Sequence, residues 1–173
     1  SLVIATGGLS IPTLGGSGFG YELAEQFGHH VFPTRAGLVP FTFSDHFKEV
    51  TTRLSGNALD ATLINDRHQF TEALLFTHRG LSGPSSLQLS NYWHVGESFN
   101  IDFFPGQDFV QFFKEKKKTQ PKVLLRNLLN EFTAKSIVLE LQQLIWAEQS
   151  ETAIGNISDL QLEQIAAQLH AFI

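Results

Sequence analysis

The stretch Thr77-His78-Arg79-Gly80-Leu81-Ser82-Gly83-Pro84 gathers an imidazole, a guanidinium and a hydroxyl within eight residues, beside three positions that shape turns. His78 is the residue type for proton transfer near neutral pH. Arg79 suits a carboxylate or a phosphate. Ser82, with the amides that follow it, suits an anion at a helix N-terminus. These three are the candidate catalytic residues. The same string also reads as a capped turn between a strand and a helix, with His78 hydrogen-bonded for structural reasons. Residue types alone leave both readings open.

A second candidate region opens the chain. Leu2-Val3-Ile4-Ala5 runs into Thr6-Gly7-Gly8, and Gly15, Gly16, Gly18 and Gly20 precede a helical pattern. A dinucleotide fingerprint needs G-x-G-x-x-G at a strand-to-helix turn. Gly16-x-Gly18 has the first spacing, but Tyr21 and Leu23 stand where the third glycine belongs. A phosphate-binding loop of the Gly-Lys-Ser/Thr kind needs a lysine, and none lies near. What survives is backbone that a bulky ligand can approach, and amides ahead of a helix that can meet an anion. Simple turns are the competing reading.

Other chemistry is weaker. His29 and His30 are neighbours, and neighbours on a strand point to opposite faces, so no metal is expected there. His46, His68, His94 and His170 are scattered and expected to be exposed. No G-x-S-x-G elbow supports a hydrolase. The absence of cysteine excludes a disulfide framework and a thiolate-bound metal.

The elements that must position these residues follow from periodicity. Leu2–Ala5 has the continuous apolar texture of a strand buried on both faces. Tyr21–Phe27 reads as a helix stopped by Gly28. His29–Phe32 and Gly37–Phe43 are strand candidates, the latter broken by Pro40. Ala58–Ile64, Gln69–Phe76 and Ser98–Phe104 are strands, the first two joined by the polar turn Asn65–His68. Pro84 sits in the first turn of a helix that Ser82 is expected to cap. After Pro105-Gly106 the pattern turns helical. Asp108 caps a helix to about Lys118, Pro121 opens another, and two more span about 134–148 and 158–172. Ser158 and Gln161 form a capping-box pattern. Leucines at 124, 125, 128, 129, 139, 141 and 144 fall at helical spacing and are expected in the core. Trp93 and Trp146 are expected to be buried anchors. The run Lys114–Lys118 is expected to be a solvated helix end.

A chain of 173 residues can bury a sizeable core, and 42% hydrophobic against 17% charged residues suits a globular fold. The formal charge of −5 gives no reason to expect nucleic acid or an anionic membrane as the main partner. No apolar run is long enough to span a bilayer as a helix. A cytoplasmic location is the expectation. The first residue stands directly on an apolar run, so the chain is expected to be an excised or processed fragment.

Three separated stretches carry a family resemblance: LVIATGGLSIPTLGGSGFGYELAEQFGHHV, RAGLVPFTF (Arg35–Phe43) and FTHRGLSGPSSLQLSNYW (Phe76–Trp93). In this order they resemble the BaiN/YhiN-type bacterial family of NAD(P)/FAD-dependent oxidoreductases. The resemblance covers about the first 95 residues, and the helical remainder fits by texture. It implies an α+β chain: residues 1–35 from the edge of a Rossmann-like FAD domain (strand, Gly loop, helix), then an inserted domain. That insert has a strand-rich, β-barrel-like part at 36–106 and a helical part at 107–173. Thr6, Gly7, Gly8 and Ser10 would then pass close to FAD, with Pro12 shaping the loop, and the turn at His78–Ser82 would face the flavin or substrate cleft. FAD would bind the parent protein and not this piece alone, which would be inactive by itself. The parent would use a small-molecule substrate and a nicotinamide partner. A non-enzymatic interaction module, including a homodimer of the fragment, is the competing reading.

Overall fold

A computed structural model describes residues 2–173. Contacts divide the chain into a unit that ends at Gly37 and a unit Leu38–Ile173. Each is described by itself.

In the first unit, Pro12–Leu14 make one 3-10 turn, closed by the Gly15 N–H on the Pro12 carbonyl at 3.1 Å. Helix α1 (Phe19–Gln26) follows. It ends where expected: the Gly28 N–H reaches the Glu25 carbonyl and the His29 N–H reaches that of Ala24, a paired stop that satisfies two terminal acceptors. Two strand expectations fail here. Leu2–Ala5 and His29–Phe32 pair with no strand among the described residues. An apolar run supplies a face for a sheet, but only a partner's ladder makes it a strand. Leu2, Val3, Leu14, Phe27 and Phe32 are accordingly exposed.

The second unit is built on a curled five-stranded antiparallel sheet, in effect half a barrel, in the order β1-β4-β3-β2-β5. Its strands are β1 (Phe41–Thr42), β2 (Ala58–Ile64), β3 (Gln69–Thr77), β4 (Gly80–Ser82) and β5 (Asn100–Asp102). The central hairpin β2–β3 turns at Asn65, whose side-chain oxygen accepts the N–H groups of Arg67 (3.1 Å) and His68 (2.8 Å). This is the Asx geometry that makes asparagine a turn residue. Register then follows from burial: Leu59, Ala61 and Leu63 share a face with Leu74 and Phe70 across the ladder. On the opposite face Thr62 and Thr71 join hydroxyls at 2.7 Å.

Helix α2 (His46–Arg53) was not among the expected elements. Asp45 caps it through the Phe47 N–H, and Phe47, Val50 and Thr51 are buried. Helix α3 (Pro84–Ser90) packs on the sheet through its serines. Ser85 and Ser86 are fully buried, donating to the carbonyls of Ala73 (3.2 Å) and Leu81 (3.0 Å). Its cap residue is Gly83, not Ser82. A Cβ built at Gly83 would stand 2.5 Å from the Ala73 oxygen, so the chain passes β3 with no room for a side chain. Small residues throughout this contact let helix and sheet approach closely.

The helical half comprises α4 (Phe109–Thr119), α5 (Leu125–Leu129), α6 (Lys135–Ile145) and α7 (Asp159–His170). Asp108 caps α4 through the Gln111 N–H, and Ser158 with Gln161 completes the capping box on α7. Pro121 does not open a helix. It lies in a turn, and Leu124 instead forms an isolated bridge with Ala153. Phe109 meets Phe104, Phe113 and Phe132 with ring centroids at 5.0, 5.4 and 5.2 Å, joining the last strand to the helices. Trp146 is buried as expected, Trp93 only half so, and Leu139 faces solvent. The lysine run is less solvated than expected: Lys118 is exposed, but Lys114, Lys116 and Lys117 are half-buried and pair with Glu163, Glu131 and Asp159. Among the described residues no helix is long and apolar enough to cross a membrane.

Candidate functional site

His78 and Arg79 are the two loop residues of the hairpin between β3 and β4, whose last pair is Thr77 with Gly80. Thr77 organises this tip. Its Oγ1 accepts the N–H groups of Arg79 (3.3 Å) and Gly80 (3.2 Å) and donates to the Gly80 carbonyl (3.0 Å). Neighbours brace the turn from two sides. The Thr52 hydroxyl of α2, which donates to the Lys48 carbonyl at 2.7 Å, shares that proton with the His78 carbonyl at 3.2 Å, and the Phe43 N–H donates to the Arg79 carbonyl at 3.1 Å. At Gly80, with φ at +150°, a Cβ would lie 2.2 Å from the Phe41 oxygen. Only glycine lets β1 pair this closely with β4.

The backbone of the tip is thus satisfied while its side chains are not. His78 and Arg79 are exposed, and neither side chain has a hydrogen-bond or ion-pair partner among the described residues. An unpaired guanidinium on a braced turn can bind an oxyanion, and an accessible imidazole can exchange a proton. Ser82 departs from the sequence expectation. It sits half-buried in β4 opposite Leu75 and caps nothing, because the chain needs one more residue, Gly83, to turn from strand into helix. Thr77 and Thr52, which hold the tip, were not singled out. The signal for Thr77 was available, since a threonine three residues ahead of a glycine at a strand end can close a turn through its hydroxyl.

The glycine loop forms a second surface in the first unit. Thr6, Gly7 and Ser10 are exposed and Gly8 is half-buried. The loop doubles back on itself: a Cβ at Gly16 would meet the Gly8 oxygen at 2.6 Å. A Cβ at Gly20, in the first turn of α1, would lie 3.1 Å from the Thr6 hydroxyl, so Thr6 lies against that turn. No side chain caps α1 from its N-cap residue, Gly18. Nothing lies within 4 Å of the Cβ position at Gly7, which leaves one side of the segment open to a ligand. Among the described residues no group of three His, Asp or Glu is placed to hold a metal ion.

A half-barrel sheet joined to a helical bundle, with a braced hairpin tip, defines a mixed α+β domain of the barrel-and-helix class. Within that class the chain belongs to the HI0933-like protein barrel and H2TH domain family, whose profile matches residues 35–173. Among curated proteins it is 46% identical over 165 residues to the ribosomal RNA dihydrouridine synthase of Escherichia coli K12, a match covering 95% of this chain and 39% of that protein. It is 41% identical over 174 residues to the protein of the same name from Haemophilus influenzae Rd, covering 98% of this chain and 42% of that one. The chain therefore spans about two-fifths of the length of these relatives.

Proposed function

We propose that this chain is the barrel-and-helix portion, with an adjoining glycine-loop segment, of a flavin-dependent oxidoreductase that forms dihydrouridine in ribosomal RNA. The observation that carries the proposal is 46% identity, across nearly the whole chain, to a protein named for that activity. The resemblance to the BaiN/YhiN-type flavoproteins supports FAD as the cofactor and a nicotinamide as the reductant. This reading departs from the expectation of no nucleic-acid partner, which rested on net charge alone. Net charge describes the whole surface and leaves local contacts undetermined. A ribosomal RNA substrate also fits a cytoplasmic location.

The residues present fit one wall of a flavin site. Thr6–Gly8 offer open backbone against the first turn of α1, and Ser10 and Pro12 shape the loop beside it. A bound flavin would supply a hydride, which together with one proton saturates the double bond of a uracil ring. The chain's own residues do the rest. Arg79 holds a phosphate or carbonyl oxygen of the substrate through its unpaired guanidinium. His78 holds an exchangeable proton at its ring nitrogens beside it. The hairpin tip fixes the backbone from which the two project, and substrate contact would then have to order the side chains themselves. The test is the full-length protein: a yellow flavin spectrum, and ribosomal RNA that loses dihydrouridine on gene deletion and regains it on complementation. A colourless protein that cannot be reconstituted, or unchanged dihydrouridine on deletion, overturns the reading.

The exposed Leu2, Val3, Leu14, Phe27 and Phe32 favour a second reading, self-association of this chain through its first unit. Light scattering after size exclusion decides it, and a monomer refutes it.

A further inference from the structure

At the far end of the β2–β3 hairpin from the His78 tip, three rings form a ladder on the surface. His68 and Tyr92 stack with centroids 3.8 Å apart and planes at 21°. Phe70 and Tyr92 lie 5.7 Å apart at 19°, and His68 and Phe70 lie 6.4 Å apart at 4°. These distances fix which face of Tyr92 is covered. Two rings on opposite faces of a third are separated by two contact layers, about 7 Å or more. His68 and Phe70 are closer than that, so Phe70 is not stacked over the face of Tyr92 opposite His68; at 5.7 Å it is offset to the side. The other face of Tyr92 has neither ring against it, and the residue is 41% exposed.

The backbone that carries the ring is also held in place. The Tyr92 carbonyl accepts from Asn65 Nδ2 (3.1 Å) and Arg67 Nη2 (3.3 Å), and its N–H donates to the Leu89 carbonyl (2.9 Å). Arg67 is fixed in turn by Glu97 at 2.8 Å, and Glu97 accepts the His94 N–H. Tyr92 thus offers a partly exposed aromatic face with His68 stacked behind it and Phe70 beside it, on pinned backbone. It matches the flat apolar face of an unpaired base, which stacks on aromatic side chains in single-stranded recognition. Resting on the preceding reading of an RNA substrate, we infer that Tyr92, backed by His68 with Phe70 beside it, is a stacking platform for one unpaired nucleobase of the RNA. The Arg67–Glu97 pair leaves this patch close to neutral, so the contact works through stacking and not through phosphate charge.

The experiment measures binding of a short fluorescein-labelled single-stranded oligouridine to the full-length protein by anisotropy, across a salt series. Tyr92→Leu keeps an apolar side chain and removes the π-face. It should weaken binding by about fivefold or more, as loss of one stacked base implies. The slope of log Kd against log salt should stay unchanged, because no phosphate contact is lost. Tyr92→Phe should bind within about twofold of wild type, and a base-paired duplex should compete poorly. Wild-type affinity in Tyr92→Leu, or equal competition by duplex, overturns the platform. A change in salt slope would reassign the site to phosphate binding and also overturns it. So does a Tyr92→Leu variant whose RNA affinity is intact while self-association is lost, since the face then serves a protein. If wild type makes dihydrouridine in cells while Tyr92→Leu binds normally, the platform fails alone. If wild type makes none, the proposed activity fails, and the binding comparison still decides the platform.

Discussion

Replacing Gly80 with alanine tests whether close backbone approach shapes the hairpin tip. The added Cβ would sit 2.2 Å from the Phe41 oxygen and 3.0 Å from the Phe43 ring. A carbon and a carbonyl oxygen in contact stand about 3.3 Å apart or more. The Phe41 carbonyl must therefore retreat by roughly 1 Å, which lifts the two-residue strand β1 away from β4. Two costs add. Holding a non-glycine residue at this φ costs about 1–3 kcal/mol, and forcing extra volume into a packed contact costs about 1–3 kcal/mol more. Gly56→Ala is the control. Its φ is +90°, but nothing lies within 4 Å of its Cβ, so only the conformational cost applies. We expect about 3–5 kcal/mol for Gly80→Ala against about 1–2 kcal/mol for Gly56→Ala. Domains are stable by only about 5–15 kcal/mol, so the first variant loses a large share. Urea unfolding followed by tryptophan fluorescence reads both as a drop in midpoint at constant slope. Two variants within about 1 kcal/mol of each other would refute the steric reasoning.

Four further outcomes follow from particular contacts. Ser158→Ala removes the cap on α7 and should cost about 1 kcal/mol in the same urea assay. Phe109→Ala empties the centre of the phenylalanine cluster and should cost about 3–5 kcal/mol, with a destabilisation below 1 kcal/mol counting against that cluster as core. Gln142 is buried with its side-chain oxygen unpaired, so Gln142→Leu should stabilise by about 1 kcal/mol, and a loss instead would mean that the amide has a partner in solution. Hydrogen bonds from Arg126 and Lys117 hold the carboxyls of Glu151 and Asp159 below the ordinary range. A depressed folded pKa adds stability above the unfolded value and loses it as pH falls through the folded one. Melting temperature should therefore drop as pH falls below about 4, and less steeply in a Glu151→Gln, Asp159→Asn double variant.

The sequence was most legible where a local rule and burial agreed. Ala58–Ile64 came out with its bounds unchanged, Gln69–Phe76 fell one residue short, and Asn65–His68 turned as its composition implied. The caps at Asp108 and Ser158 each bond the amide three residues on. Legibility failed where the structure depends on a partner. Leu2–Ala5 has the composition of a strand, but composition supplies no ladder. Helix α2 was missed although Asp45 ahead of Phe47, Val50 and Leu54 carries both a cap and a buried stripe. Its mean polarity and the threonines near its end disguised it as a loop. At the candidate site, His78 and Arg79 stand out in the sequence by type alone, whereas the structure moves the helix cap from Ser82 to Gly83. A strand too short to announce itself, β4, occupies the place where the helix was expected to begin. The glycines at 80 and 83 were noticed for freedom of backbone. Their actual role, letting chains touch, appears only once the neighbours are in place.

The bracing of that hairpin tip has a consequence for recognition. A turn held by the Phe43 N–H on one side and closed internally by the Thr77 hydroxyl is a fixed post and not a flap. Its main chain has little motion left to surrender when a ligand arrives, so the entropic toll falls on the two exposed side chains. Loosening the main-chain contact at Phe43 would return that motion to the turn, and the exchange rates of its amides would report it.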